Sequence, residues 1–275
     1  MYSSATIIPG QPHAAISGAS GFNSQTIVFI NEPGSDPAQW QLLAPALEDR
    51  YQIVQLTLPG PTPPDPPALC HTLDSHANNL LAGLRTLALH DVMVVGHGVG
   101  ALIGLLAAIR EPRRCARLIL IAPSPRRRAG TERADIEPAD INELLAAMEG
   151  DYHGWSETRA SLTLGGQGQQ PELIPELVMA LTNSFVRTNP EIARHFARVP
   201  FLADSRPERP FLSLPTLIVQ AAHDAIAPLA VGHYLNEQLA DSRLVLVETI
   251  GHRPQISAPR ETLAAITTFL SRVII

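Results

Sequence analysis

Residues 92–109 read VMVVGHGVGALIGLLAAI. The apolar run Val92–Val95 ends at Gly96, and glycines at 96, 98 and 100 separate it from a stretch of small apolar residues with helical character. An apolar run of this kind reads as a strand buried on both faces, and the glycines let the chain turn tightly into a helix. That junction constrains the rest of the chain. A strand feeding directly into a helix belongs to parallel α/β packing, because a parallel neighbour is reached only through a crossover connection. The apex of the turn is Gly98, and the N-terminus of the next helix aims free N–H groups at whatever occupies the space above it.

The flanking sequence repeats the same alternation. Short apolar runs at 26–30, 53–58, 92–95, 118–121, 216–220 and 244–247 predict buried strands, and the segments 39–47, 73–88, 99–109, 229–239 and 260–272 carry helical patterns. The expected class is α/β, with a mostly parallel central sheet flanked by helices. From 129 to 209 no strand pattern appears, only helix-like segments around 139–148, 172–185 and 190–197, with the glycine- and glutamine-rich joint GGQGQQP at 165–171. An insertion of this kind predicts a helical lid over the C-terminal edge of the sheet, where open α/β sheets bind ligands. The chain then divides into a first core part, 1–128, with its sharp turn at 96–100; a lid, 129–209; and a second core part, 210–275. No internal repeat is present.

Composition narrows the function. The 275 residues are 45% apolar and 17% charged, as in a soluble globular protein. No run approaches the ~18 apolar residues of a membrane span. The N-terminal residues MYSSATIIPGQPHAAISG have no basic region and no apolar core of a secretory signal, which predicts a cytoplasmic protein. A net charge of −6 argues against nucleic acid as a partner, and the local run Arg126–Arg128 reads as a solvated loop. All 20 basic residues are arginine, so neither Schiff-base chemistry nor a P-loop lysine is available. Cys70 and Cys115 are too few for a disulfide framework.

Two further loops bear on chemistry. Asp224 follows the run 216–220 in LIVQAAHDAIAP, and His252 follows the run 244–247 in LVETIGHRPQISAP. Each is weak alone. Together, a glycine turn, an Asp and a His at the ends of successive strands have the triad order of α/β-hydrolases, in which Asp orients His and His faces the turn. His97, His223 and the other histidines have no metal-ligand spacing, so neither a metal nor a cofactor is expected.

At this point the sequence resembles a known family. VVGHGVGALIGLLAAIREP, ILIAPSPR, DYHGW, TNPEIARHFARVPFLAD, PTLIVQAAHDAIAPLAVGHYL and GHRPQISAP are similar to the RsbQ-type bacterial stress regulators and the plant karrikin and strigolactone receptors. The resemblance implies an α/β-hydrolase fold with an inserted four-helix lid over an apolar pocket. It implies a small apolar organic ligand that is bound or slowly hydrolysed, and it adds a protein partner. The apolar lid residues Leu144, Met148, Trp155, Leu181, Phe185 and Phe196 are candidates to line or support that pocket, and His97 is a further pocket candidate; of these only Trp155, in DYHGW, gains from the resemblance.

The sequence departs from that family at two positions that matter chemically. The family places its nucleophilic Ser where Gly98 stands, so no acyl-enzyme can form there. The family's H-G-F-G loop, which supplies an oxyanion N–H, falls on Asn31, Glu32, Pro33 and Gly34. Proline has no N–H, which leaves mainly the Val99 N–H, and loss of one such donor typically costs ~10²–10³-fold in rate. The leading expectation is therefore non-covalent acid/base chemistry of lyase, isomerase or cyclase type, with His252 as base and Asp224 orienting it. Glu32 is a candidate second acid/base group. One alternative is a non-catalytic, ligand-binding signalling regulator. Another is an esterase working through a His-activated water, or an engineered Ser-to-Gly variant of a serine hydrolase.

Overall fold

The computed structural model describes residues 3–4, 12–21, 24–31, 37–58, 72–123, 146, 150–152, 154, 163, 179, 183, 186, 213–224 and 226–271. Eight strands form one sheet: β1 (Ser3–Ser4), β2 (His13–Gly18), β3 (Thr26–Asn31), β4 (Gln52–Thr57), β5 (Val92–His97), β6 (Cys115–Ile121), β7 (Thr216–His223) and β8 (Ser242–Ile250). Their order is β1-β2-β4-β3-β5-β6-β7-β8. β1 and β2 pair antiparallel at one edge, β2 pairs antiparallel with β4, and every pairing from β4 to β8 is parallel.

Among the described residues, helices whose full bounds are seen are α1 (Leu73–Thr86), α2 (Val99–Arg110), α3 (Leu229–Gln238), α4 (Pro254–Ser257) and α5 (Pro259–Leu270). Thr72 caps α1, its hydroxyl accepting from the Ser75 N–H at 3.1 Å. Strand residues alternate between two apolar layers. Val28, Ile30, Val94, Leu118 and Leu120 pack with α1, α2 and α3, while Ile27, Phe29, Met93, Val95, Ile119 and Ile121 pack with α5 and the segment 40–51. With both faces covered, period-2 polarity disappears, which is why β3 and β5 are buried at every residue.

Two expectations change. The segment 39–47 is not one helix but two 3₁₀ turns, Pro37–Trp40 and Pro45–Leu47. Pro45 lacks the N–H that a continuous helix would need, while Trp40, Leu43, Ala44 and Leu47 still bury their side chains at helix-like spacing. The antiparallel strands β1 and β2 were not expected, because β1 is only two residues long and HAAISG in β2 is small, partly polar and only half-buried.

Within 129–209, the residues Ala146, Gly150, Tyr152, Gly154, Thr163, Met179, Asn183 and Val186 are helical. The four-helix arrangement of the expected lid, and its boundaries, lie outside the described residues. Among the described residues, no helix is long and apolar enough to cross a membrane.

Candidate active site

The sheet brings three loop positions to its C-terminal edge. β5 ends at His97 and α2 begins at Val99, leaving Gly98 alone at the apex with φ +54° and ψ −117°. L-residues rarely adopt such a φ, and glycine does so without a Cβ penalty. The Gly98 N–H donates to the Ile121 carbonyl at 2.9 Å, which ties the turn to neighbouring β6. Gly96 makes the close crossing possible: a Cβ there would overlap the Gly100 carbonyl and lie 2.6 Å from the Ala101 nitrogen.

Asp224 and His252 meet because β7 and β8 are parallel neighbours, with His223 in register with Ile250. Gly251, at φ +103°, turns the chain after β8, and its N–H donates to the His223 carbonyl at 2.9 Å. Asp224 Oδ1 accepts from the Ile226 and Ala227 N–H groups at 2.7 and 2.9 Å. Its Oδ2 accepts from His252 Nδ1 at 2.7 Å, and the Asp224 side chain is fully shielded from solvent. With Nδ1–H donated to the carboxylate, the neutral imidazole carries its lone pair on Nε2. That nitrogen lies 3.6 Å from where a Cβ on Gly98 would stand. The pair therefore presents a basic nitrogen toward a backbone position that carries no side chain.

The His252 backbone is held from both sides. Its N–H donates to the Thr163 carbonyl at 2.8 Å, and its carbonyl accepts from His97 Nε2 at 2.9 Å. His97 is 3% exposed and packs edge-on to the His252 ring, with centroids 4.8 Å apart. Arg253 continues the support: its Nη1 donates to Gln39 Oε1 at 3.1 Å, and Gln39 approaches Asn31, the last residue of β3, at 3.5 Å. The β3 end is thus linked to the residue after His252.

Of the residues expected at the site, the fold brings Gly98, Val99, Asp224, His252 and His97 together at one edge. Glu32, Pro33, Met148, Trp155 and Phe185 lie outside the described residues, as do Leu144, Leu181 and Phe196. Sequence reasoning missed Thr163, Arg253, Gln39 and Gln220. Gln220 left one readable signal, an amide inside the apolar run LIVQAA just ahead of Asp224.

Comparison with known proteins agrees with this architecture. A profile of the alpha/beta hydrolase fold family matches residues 32–259. A strigolactone esterase of Arabidopsis thaliana is 31% identical over 260 residues, covering 92% of this chain and 94% of that protein. A karrikin insensitive 2 receptor of Petunia hybrida is 29% identical over 257 residues, covering 91% and 92%. The solved structure of a hydrolase from Oleispira antarctica superposes with a TM-score of 0.81 at 26% identity, covering 94% of each chain. The profile match, the strand order and the Asp–His pair at the ends of β7 and β8 lead to one conclusion: the chain belongs to the α/β hydrolase fold family.

Proposed function

We propose that this protein uses His252, oriented by Asp224, as a general base in non-covalent chemistry on a small apolar ligand held under a helical lid. The observation that carries the reading is the 2.7 Å Asp224–His252 hydrogen bond with Nε2 facing Gly98. Gly98 occupies the place from which this fold presents a nucleophile, and glycine supplies neither hydroxyl nor thiol. A His–Asp pair in a water-poor pocket still takes and returns protons, so elimination, isomerisation, cyclisation and addition remain open while acyl transfer through residue 98 does not. Pro33, two residues after Asn31 in the sequence, supports the same reading, because proline has no N–H to offer an oxyanion.

A second reading is favoured by one observation, the likeness to a protein named as a receptor. Here the pocket binds its ligand without turnover and passes the bound state to a protein partner.

The test begins with a thermal-shift screen of small lactones, esters, ketones and hydroxynitriles, followed by product analysis of each binder. The base reading expects a binder that wild-type protein converts and His252→Ala does not. A binder left unchanged by wild type, with equal affinity in His252→Ala, selects the receptor reading instead. Cleavage of p-nitrophenyl esters by wild type at serine-esterase rates overturns the account of Gly98.

A further inference from the structure

We propose that Gln220 is a positioning residue for the Asp224–His252 pair, acting through the loop that carries Asp224. The inference rests on the reading of that pair as the working base. Gln220 is fully buried near the end of β7. Its Nε2 donates to the Ala227 carbonyl at 2.5 Å and the Pro228 carbonyl at 3.0 Å. The same loop returns the Ile226 and Ala227 N–H groups to Asp224 Oδ1. One amide thus anchors the carbonyl side of the loop to β7 while its N–H side holds the carboxylate. Asp224 Oδ2 is then left aimed at His252 Nδ1.

The amide orientation follows from its partners, since two carbonyl oxygens require N–H donors and would repel an amide oxygen. Gln220 Oε1 has no hydrogen-bond partner and lies toward α3, where a Cβ on Gly232 would overlap it. A buried, unpaired amide oxygen is unfavourable, so Gln220 brings a burden that an apolar residue in this strand would not. What it supplies in return is the pair of bonds to residues 227 and 228. Without them the loop carbonyls lose their donors, the two N–H groups can swing off Oδ1, and the carboxylate is free to rotate away from His252.

The test reads the His252 Nδ1–H proton in full-length protein labelled with ¹⁵N-histidine, assigned by its loss in His252→Gln. Gln220→Met keeps the length of the side chain but removes both donors, and Gly232→Ala displaces the amide without deleting it. In both variants the resonance is expected to be lost to solvent exchange, with the far-ultraviolet dichroism of folded protein retained. Persistence of the wild-type resonance in folded Gln220→Met overturns the proposal. If Gln220→Met fails to fold, Gly232→Ala decides by the same criterion; if neither folds, Gln220 is a fold determinant and the proposal falls. An unchanged His252 resonance in Asp224→Ala would instead sink the Asp–His reading itself, so the two failures are distinguishable.

Discussion

At the scale of single residues, Gly98 combines two effects that pull apart. Its φ of +54° is a conformation in which a non-glycine residue pays ~1–3 kcal/mol, yet among the described residues a Cβ there would meet only His252 Nε2, at a comfortable 3.6 Å. Gly98→Ser is therefore expected to fold with a lower unfolding free energy, by about 1–3 kcal/mol in denaturant titration. It should gain at most weak p-nitrophenyl esterase activity while Pro33 remains; robust activity would mean the loop after β3 supplies a full oxyanion site. Cys115 is a second single-residue case. It is 2% exposed at the start of β6, and burial pushes its thiol up to about 12, against the opposing charge of Arg114. At pH 8 it stays protonated, so maleimide treatment followed by peptide mapping should find Cys115 unmodified in native protein and labelled in urea. The folded-state value is raised, so the unfolded chain releases this proton first. Its contribution to stability is intact below the ordinary thiol value of 9.0 and is lost as pH rises toward about 12. Asp224 and His252 were legible from sequence because each is a polar residue just past an apolar run, in triad order. Gln220 was not, because an amide within a strand signals nothing until its partners at 227 and 228 are in view.

Among the elements, the decisive ones are junctions. β5 passes into α2 through glycines at 96, 98 and 100, and Gly104 repeats the demand one turn later, where a Cβ would lie 3.0 Å from Val94 Cγ1. These positions hold α2 close against the sheet, which fixes where its N-terminus points. α5 is secured differently. Arg117 on β6 is 8% exposed, and its Nη1 donates to the carbonyls of Phe269 and Leu270 at 2.7 and 2.8 Å, satisfying acceptors that the helix end leaves open. Its guanidinium also lies over the Phe269 ring, 5.6 Å from the centroid. Arg117→Met keeps much of the packing volume and removes those bonds. It is expected to cost about 2–3 kcal/mol by denaturant titration, since hydrogen bonds from charged donors contribute ~1.5–3 kcal/mol. A loss below about 0.5 kcal/mol, the range of neutral surface changes, would show the helix end to be held by packing alone. Periodicity read the long elements well but failed at 39–47, where apolar spacing is helical and Pro45 forbids the helix.

At the scale of the whole molecule, the sheet lies between two apolar layers of described residues. Leu80 on α1 lies in one layer and Ile266 on α5 in the other, both fully buried. Each truncation to Ala is expected to cost about 2–5 kcal/mol by loss of contacts and creation of a cavity. Because the two residues belong to separate clusters among the described residues, the double variant should equal the sum within ~0.5 kcal/mol; a larger coupling would mean the sheet itself relaxes. The sequence by itself determined the α/β class, the order of the parallel strands β3 to β8 along the chain and the positions of the glycine turn, Asp224 and His252. Those features depend on local patterns, apolar runs closed by turn residues, which act over a few positions. Only the tertiary structure decided which strands are neighbours, and hence that Asp224 and His252 meet at 2.7 Å beside Gly98. It likewise decided that His97, Thr163 and Gln220 hold the pair in place. Their roles arise from hydrogen bonds between segments up to 155 positions apart, which no local pattern encodes.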